Sequence, residues 1–165
     1  MSPFDFHWLH PDLAVGGRFP PEAVPRLALD HGVGAVVDLR GEVRGDPRPF
    51  ASCGMAFLHL PTPDRMGVSQ DMLDRGVEFV EAMIRSGRRV LIHCHYGIGR
   101  SATLALCVLA ARGVEPLAAI GLAKDARPLV SPSREQYDAW CTWLAGRGLA
   151  APSYHDFGMV AYRQT

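Results

Sequence analysis

The sequence lacks a long apolar run, an excess of either charge and an export signal, and each absence excludes a class of protein. No apolar run reaches the roughly 18 residues that a membrane-spanning helix needs. The formal net charge is zero, so no basic arm for nucleic acid or polybasic patch for a membrane surface is indicated. The first residues have no basic flank before an apolar stretch, which argues against a signal peptide. We therefore expect a cytoplasmic protein with no nucleic-acid partner, no membrane anchor and no obligatory protein partner.

The four cysteines form no Cys-x2-Cys pair, which argues against a structural zinc site or a thioredoxin-type motif. Cys107 and Cys141 lie in apolar patterns with helical spacing, and we interpret both as small core residues. Without an export signal, disulfides are not expected. Cys53 and Cys94 lie outside these helical patterns, and only Cys94 lies in a segment that could carry catalytic chemistry.

Strand and helix patterns alternate along the chain, which fits a single domain over residues 1–165. Short apolar runs predict buried strands at 33–39, 55–60 and 89–93. Spacing and end signals predict helices at 21–30, 69–86, 101–111, 116–126 and from 133 onward. Residues 41–54 are predicted to be a loop, and residues 151–165 a docked tail. The alternation predicts an α/β fold whose central, mostly parallel sheet is flanked by helices.

Residues 90–101, V-L-I-H-C-H-Y-G-I-G-R-S, carry the chemistry. A buried strand ends at Cys94, a loop with two glycines follows, and a helix begins at Arg100 or Ser101. Glycines let backbone N–H groups converge on one point, and a helix N-terminus adds donors, so the segment predicts an anion site. Arg100 can hold two phosphate oxygens through its planar fork. The same positive field favours a thiolate at Cys94, which is a nucleophile facing a bound phosphate ester.

Spacing alone does not identify this segment, because a second Cys-x5-Arg pair occurs at Cys141 and Arg147. That pair follows no strand and lies in W-C-T-W-L-A-G-R-G, the pattern of a helix and its end. It has no glycine loop that could turn N–H groups inward. The context therefore favours a functional phosphate-binding loop at Cys94 and a structural role at Cys141.

The pattern His93-Cys94-x-x-Gly97-x-Gly99-Arg100-Ser101 resembles the active-site signature of the protein-tyrosine-phosphatase superfamily, most closely its small dual-specificity branch. Three further segments resemble the same family, and the similarity spans roughly residues 13–145. The strand end V-V-D-L-R at 36–40 is similar to an early strand of the family. Pro61-Thr62-Pro63-Asp64 resembles its general-acid loop. Arg127-Pro128 with Ser131-Pro132-Ser133 resembles the segment that leads into its last helix.

The resemblance implies a phosphocysteine mechanism that needs no metal or other cofactor. Cys94 would attack phosphorus, while Arg100 and the N–H groups of residues 95–100 would bind the equatorial oxygens. Asp64 would protonate the leaving oxygen and then activate water. Ser101 would hydrogen-bond the Cys94 sulfur, and His93 would orient the loop from behind.

The loop residues between the cysteine and the arginine are expected to contact the substrate: His95, Tyr96, Gly97, Ile98 and Gly99. The side chains of the first two should border the mouth of the pocket. Phosphoinositide-preferring relatives tend to carry lysines in this loop, and this loop has none. The short chain also leaves little room for the extra loops of a deep phosphotyrosine pocket. We therefore expect a phosphoprotein substrate, phosphotyrosine first, with phosphoserine and phosphothreonine as shorter esters that a shallow pocket admits.

Several alternatives stay open from the sequence. Asp64 also suits a turn after proline, and Asp71 is a second candidate acid that fits better in the first turn of a helix. Asp38 is interpreted as supporting the site, and Gln136 either positions water or completes a capping box. Other functions are a phosphoinositide phosphatase, a rhodanese-like sulfurtransferase, and a phospho-binding pseudophosphatase. A metal site at residues 93–95 is disfavoured because neighbouring strand residues point to opposite faces.

Overall fold

The computed structural model describes residues 2–164, in which five strands form one mixed sheet. The strands are β1 (Phe6–His10), β2 (Leu13–Gly16), β3 (Val33–Arg40), β4 (Ala56–Thr62) and β5 (Arg89–His93). Their order across the sheet is β1-β2-β5-β3-β4. β1 runs antiparallel to β2, and every other neighbouring pair is parallel. The predicted α/β fold with a mostly parallel central sheet is confirmed.

Seven α-helices connect and cover these strands. They are α1 (Val24–His31), α2 (Arg48–Ala51), α3 (Gln70–Arg85), α4 (Arg100–Ala111), α5 (Pro116–Ala126), α6 (Arg134–Gly146) and α7 (Tyr154–Ala161), with a 3-10 turn at Pro21–Ala23 before α1. Ser69 caps α3 and Ser133 forms a capping box with Gln136 on α6, as the sequence predicts. Within residues 2–164, no helix combines the length and the apolar character needed to cross a bilayer.

Both faces of the central strands are buried, which explains why these strands are continuous apolar runs. Val36 and Leu91 pack with α1 and α2 on one face, whereas Val37 and Ile92 pack with the longer helices on the other. α4 lies deepest in that second layer, with residues 100–110 all buried. The loop between β5 and α4 is therefore anchored at both ends by buried elements of the same core.

Four elements depart from the sequence-based prediction. β1 and β2 were not predicted, because both are short and β1 lies at a sheet edge with little burial. The predicted loop over 41–54 contains the single turn α2, and the predicted tail contains α7. The tail does dock, since Phe157 and Ala161, four residues apart on α7, are fully buried.

Candidate active site

The loop from Cys94 to Gly99 joins β5 to α4, as the phosphate-binding loop was predicted to do. Gly97 has a left-handed φ of 68°, and a Cβ there would lie 2.5 Å from the carbonyl carbon of Gly16 at the end of β2. A Cβ on Gly99 would lie 2.2 Å from Oε1 of Gln136. Glycine is therefore required at 97 by both backbone conformation and close packing, whereas at 99 a side chain would displace the end of the Gln136 side chain.

The Cys94 sulfur is buried and lies within reach of two hydrogen-bond donors. Its Sγ is 3.2 Å from Oγ of Ser101, and the Gly97 N–H donates to it at 3.3 Å. At the other buried thiol, burial raises the pKa of Cys107 and keeps it protonated. Burial likewise raises the pKa of the Cys141 thiol, the partner in the second Cys-x5-Arg pair.

Arg100 is almost fully buried beneath the loop, and the sequence analysis missed the residue that holds it. Glu42 pairs with both terminal nitrogens, at 2.6 Å to Nη1 and 3.0 Å to Nη2. Nη1 also donates to the Thr62 carbonyl at 2.8 Å. The hydrogen bond from Arg100 lowers the pKa of Glu42 to about 2, so this carboxylate stays charged at neutral pH. The only sequence signal for Glu42 is its place just beyond the carboxyl end of β3, where α/β sites gather.

One nitrogen of Arg100 remains for a ligand. Its Nε is buried and has no hydrogen-bond partner among the described residues. A buried donor without a partner is costly unless a bound group satisfies it. An anion in the loop would satisfy it, while the two terminal nitrogens of the predicted fork are paired with Glu42 in this structure.

Asp64 lies at the mouth of the site. Its Oδ1 is 3.5 Å from Nη2 of Arg100. Asp64 and Cys94 line the same depression, which has a volume of about 300 Å³. The alternative acid, Asp71, does not line it and instead pairs with Arg75 on the surface of α3.

His93 supports the loop from behind and is fully buried. Its Nδ1–H donates to the Cys94 carbonyl at 3.3 Å, and its Nε2 lies 3.7 Å from Oδ2 of Asp38. Burial lowers the pKa of His93 to about 4, so the ring is neutral at pH 7. Within residues 2–164, no group of three or more His, Cys, Asp or Glu side chains could hold a metal ion.

Arg127 contacts the back of the loop, a role that the sequence analysis did not assign. Its Nε donates to the Gly97 carbonyl and its Nη2 to the Tyr96 carbonyl, each at 2.8 Å. Asp5 holds the same guanidinium through two bonds of 2.9 Å. Carbonyls fixed on this side leave the loop N–H groups free to face the anion site.

The two side chains predicted to border the mouth of the pocket differ in position. Tyr96 is 55% exposed and lines the depression that holds Cys94, whereas His95 meets the Tyr96 ring edge-on and does not line that depression. Ile98 lines the depression that holds Cys94. Gln136 lines it as well, but its Oε1 accepts the Ser133 N–H at 2.8 Å, so the capping box accounts for its position.

Three comparisons with known proteins point to the same family. A family model described as "Polymorphic toxin system, DSP-PTPase phosphatase" matches residues 23–114. Dual specificity protein phosphatase 8 of Mus musculus is 33% identical over 89 residues, which are 53% of this chain and 13% of that protein. Dual specificity protein phosphatase 16 of Homo sapiens is 32% identical over 138 residues, 74% of this chain and 20% of that protein. The chain thus spans a fifth or less of the length of these relatives.

Solved structures of similar size match nearly end to end. The active form of Tk-PTP superposes with a TM-score of 0.77 and 27% identity, covering 87% of this chain and 97% of that one. PTPMT1 in complex with PI(5)P gives a TM-score of 0.78 at 22% identity, covering 87% and 98%. The second likeness is one of fold alone.

Proposed function

This chain belongs to the dual-specificity branch of the protein-tyrosine-phosphatase superfamily, and we propose that it hydrolyses phosphoprotein monoesters through a phosphocysteine intermediate. The observation that carries the proposal is the geometry at Cys94. Its sulfur has donors from Ser101 and Gly97 at 3.2 and 3.3 Å, inside the loop that ends at the buried Arg100. A stabilised thiolate beside an unsatisfied guanidinium donor is suited to attack a bound phosphoryl group.

In the first step the Cys94 thiolate attacks phosphorus and the bond from phosphorus to the ester oxygen breaks. Asp64 donates its proton to the departing oxygen, which leaves as a neutral hydroxyl. Arg100 and the loop N–H groups hold the three equatorial oxygens, where negative charge accumulates. The products are a phosphocysteine and the dephosphorylated side chain.

In the second step water attacks the phosphocysteine. Asp64, now a carboxylate, accepts a proton from that water. The sulfur–phosphorus bond breaks, inorganic phosphate leaves, and the thiolate returns. Ser101 assists by donating a hydrogen bond from its hydroxyl to the departing thiolate across the 3.2 Å contact.

The substrate expected from the loop is phosphotyrosine, with shorter phosphoesters admitted by an open pocket. The depression over Cys94 is bordered by Tyr96 and Ile98, which suit an aromatic ring, and the loop carries no lysine for additional ring phosphates. The structural likeness to PTPMT1 with PI(5)P makes inositol lipids the comparison that the substrate test must include.

The decisive assay measures phosphate release from an aryl phosphate by the wild type, Cys94→Ser and Cys141→Ser. We expect Cys94→Ser to lose turnover while still binding a phosphate analogue, because the site does not ionise a hydroxyl. Cys141→Ser removes the cysteine of the other Cys-x5-Arg pair and should stay active. An active Cys94→Ser would refute the mechanism, and an inactive wild type that binds phosphopeptide would indicate a pseudophosphatase. Thiocyanate formation from thiosulfate and cyanide would instead indicate a sulfurtransferase.

A further inference from the structure

A second depression, of about 500 Å³, opens beside the catalytic loop. Tyr96 lines both depressions, whereas Cys94 lines only the first and Arg18 only the second. We call the second one the Arg18 depression; Arg40 and His95 also line it. No step of the proposed reaction uses Arg18 or Arg40.

The end of β2 places Arg18 against the catalytic loop. The Arg18 backbone N–H donates to the His95 carbonyl at 2.9 Å, and Nη1 approaches the same oxygen at 3.5 Å. Gly17 permits this approach, since a Cβ there would lie 3.0 Å from that oxygen. The guanidinium carbon lies 5.6 Å from the centroid of the Tyr96 ring. Arg18 is therefore held at the loop by its main chain, with its charged group exposed beside Tyr96.

The charges around the Arg18 depression leave a positive excess. Asp5 also lines it, but both of its oxygens bind Arg127, and that hydrogen bond lowers the pKa of Asp5. Arg40 donates hydrogen bonds from Nε and Nη2 to the Asp38 carboxylate, and among the described residues nothing accepts a hydrogen bond from its Nη1. Within residues 2–164, no carboxylate lies within ion-pair distance of Arg18.

We propose that the Arg18 depression binds a second acidic group of the substrate, a carboxylate or phosphate on a residue that flanks the phosphotyrosine. This inference rests on the proposed phosphatase function and specifies its substrate class. Arg18 would donate to the acidic group as a fork, with Arg40 Nη1 as a further donor. Arg18 is thus a residue that determines specificity and takes no part in the chemistry.

The position of Tyr96 favours a peptide over an inositol ring. Its side chain borders both depressions, so the two acidic groups of one substrate must lie on either side of an aromatic ring. An extended peptide rises about 3.3 Å per residue, which sets a side chain two residues away at about 7 Å. Phosphates on neighbouring carbons of one small ring are closer together and rigidly linked, so they are less able to lie on opposite sides of the Tyr96 ring.

The test compares two phosphotyrosine peptides. One has Glu, and the other has Gln, at the positions two residues before and two residues after the phosphotyrosine. For the wild type we expect kcat/KM to be about tenfold higher for the Glu peptide, as one charge-assisted contact would give. Arg18→Gln should lose this preference and keep its rate on a small aryl phosphate, which does not reach the Arg18 depression. Arg26→Gln, an exposed arginine on α1, is the matched control and should keep the preference.

Measuring the affinity of a variant that does not turn over tests the acidic subsite independently of the phosphatase activity. The same peptides, fluorescently labelled, are titrated against Cys94→Ser with and without Arg18→Gln. An Arg18-dependent preference in affinity without any turnover by the wild type would contradict the phosphatase function alone. Equal affinities and rates for both peptides, or a preference that survives Arg18→Gln, would overturn the Arg18 depression as an acidic subsite. An Arg18-dependent kcat/KM for phosphoinositide vesicles above that of the Glu peptide would overturn the peptide assignment.

Discussion

At the residue scale, the two Cys-x5-Arg pairs show how environment decides chemistry. Cys94 lies in the loop before α4, where the Gly97 N–H donates to its sulfur and the Ser101 hydroxyl lies 3.2 Å from it. Cys141 lies within α6, where burial raises the pKa of its thiol. Equal spacing therefore places one cysteine in a glycine loop that precedes a helix N-terminus and the other within a helix, so only the first stands where an anion could bind.

Asp64 provides a prediction about pH. Replacing Asp64 with Asn should flatten the basic limb of the kcat profile, because the acid must be protonated when the leaving oxygen departs. The loss should be about a hundredfold with poor leaving groups and small with very good ones. Asp71→Asn on α3 is the control and should behave as the wild type. An unchanged profile in Asp64→Asn would assign the acid role elsewhere.

Glu42 provides a prediction about positioning. Glu42→Gln removes the paired carboxylate that fixes both terminal nitrogens of Arg100, so kcat/KM for an aryl phosphate should fall about tenfold. The pKa of Glu42 is lowered to about 2, so the carboxylate is charged throughout the assay range and its stabilising effect is lost only as pH falls toward 2. The shape of the pH–rate profile above pH 4 should therefore not change. Glu78→Gln on the exposed side of α3 is the control, and equal rates for both variants would contradict the positioning role.

At the element scale, the loop between β5 and α4 is fixed by its neighbours. β2 contacts it at Gly97, and Arg127 binds its carbonyls from the segment after α5. The helix N-terminus and the loop backbone are thereby held in place before any ligand arrives.

Gly97→Ala tests this packing against a matched glycine. Gly54 has a similar φ, 70° against 68°, but a Cβ on Gly54 would meet nothing within 4 Å. Gly54→Ala should cost about 1 kcal/mol of unfolding free energy from backbone strain alone and leave activity unchanged. Gly97→Ala should cost more and also reduce kcat/KM, since the loop or β2 must shift. Equal effects in thermal denaturation and in turnover would show that the contact with β2 is unimportant.

The sequence predicts those elements whose signals are local. β3, β5, α3 and α6 follow from apolar runs and capping residues, and the catalytic loop follows from its glycines. β1 and α2 were missed because a five-residue edge strand and a single helical turn carry little pattern of their own. They form because the completed fold gives them surfaces to pack against.

The candidate site shows the same division. Cys94, Arg100 and Asp64 are identifiable from motif and resemblance. Glu42 and Arg127 are not, because each acts through a partner 58 or 30 residues away along the chain. Such pairings depend on the topology of the sheet, and a single sequence does not encode them as spacing.

At the scale of the whole molecule, the strand order places the site. β5 lies in the centre of the sheet between β2 and β3. Its carboxyl end therefore meets Arg18 after β2, Glu42 after β3 and Asp64 after β4 at one edge. Ligands of parallel α/β sheets bind outside the carboxyl ends of the strands, and the catalytic and Arg18 depressions both open there.

The central claim is that the phosphoryl group is transferred to the Cys94 sulfur before it is hydrolysed. A rapid acid quench during turnover of a ³²P-labelled phosphotyrosine peptide, followed by peptide mapping, tests it most directly. The account predicts label on the peptide that contains Cys94, and none in Cys94→Ser. With a ³²P-labelled aryl phosphate that has a good leaving group, Asp64→Asn should hold more label than the wild type, because water activation is slowed. Continued turnover with no label on Cys94, or label retained in Cys94→Ser, would contradict it.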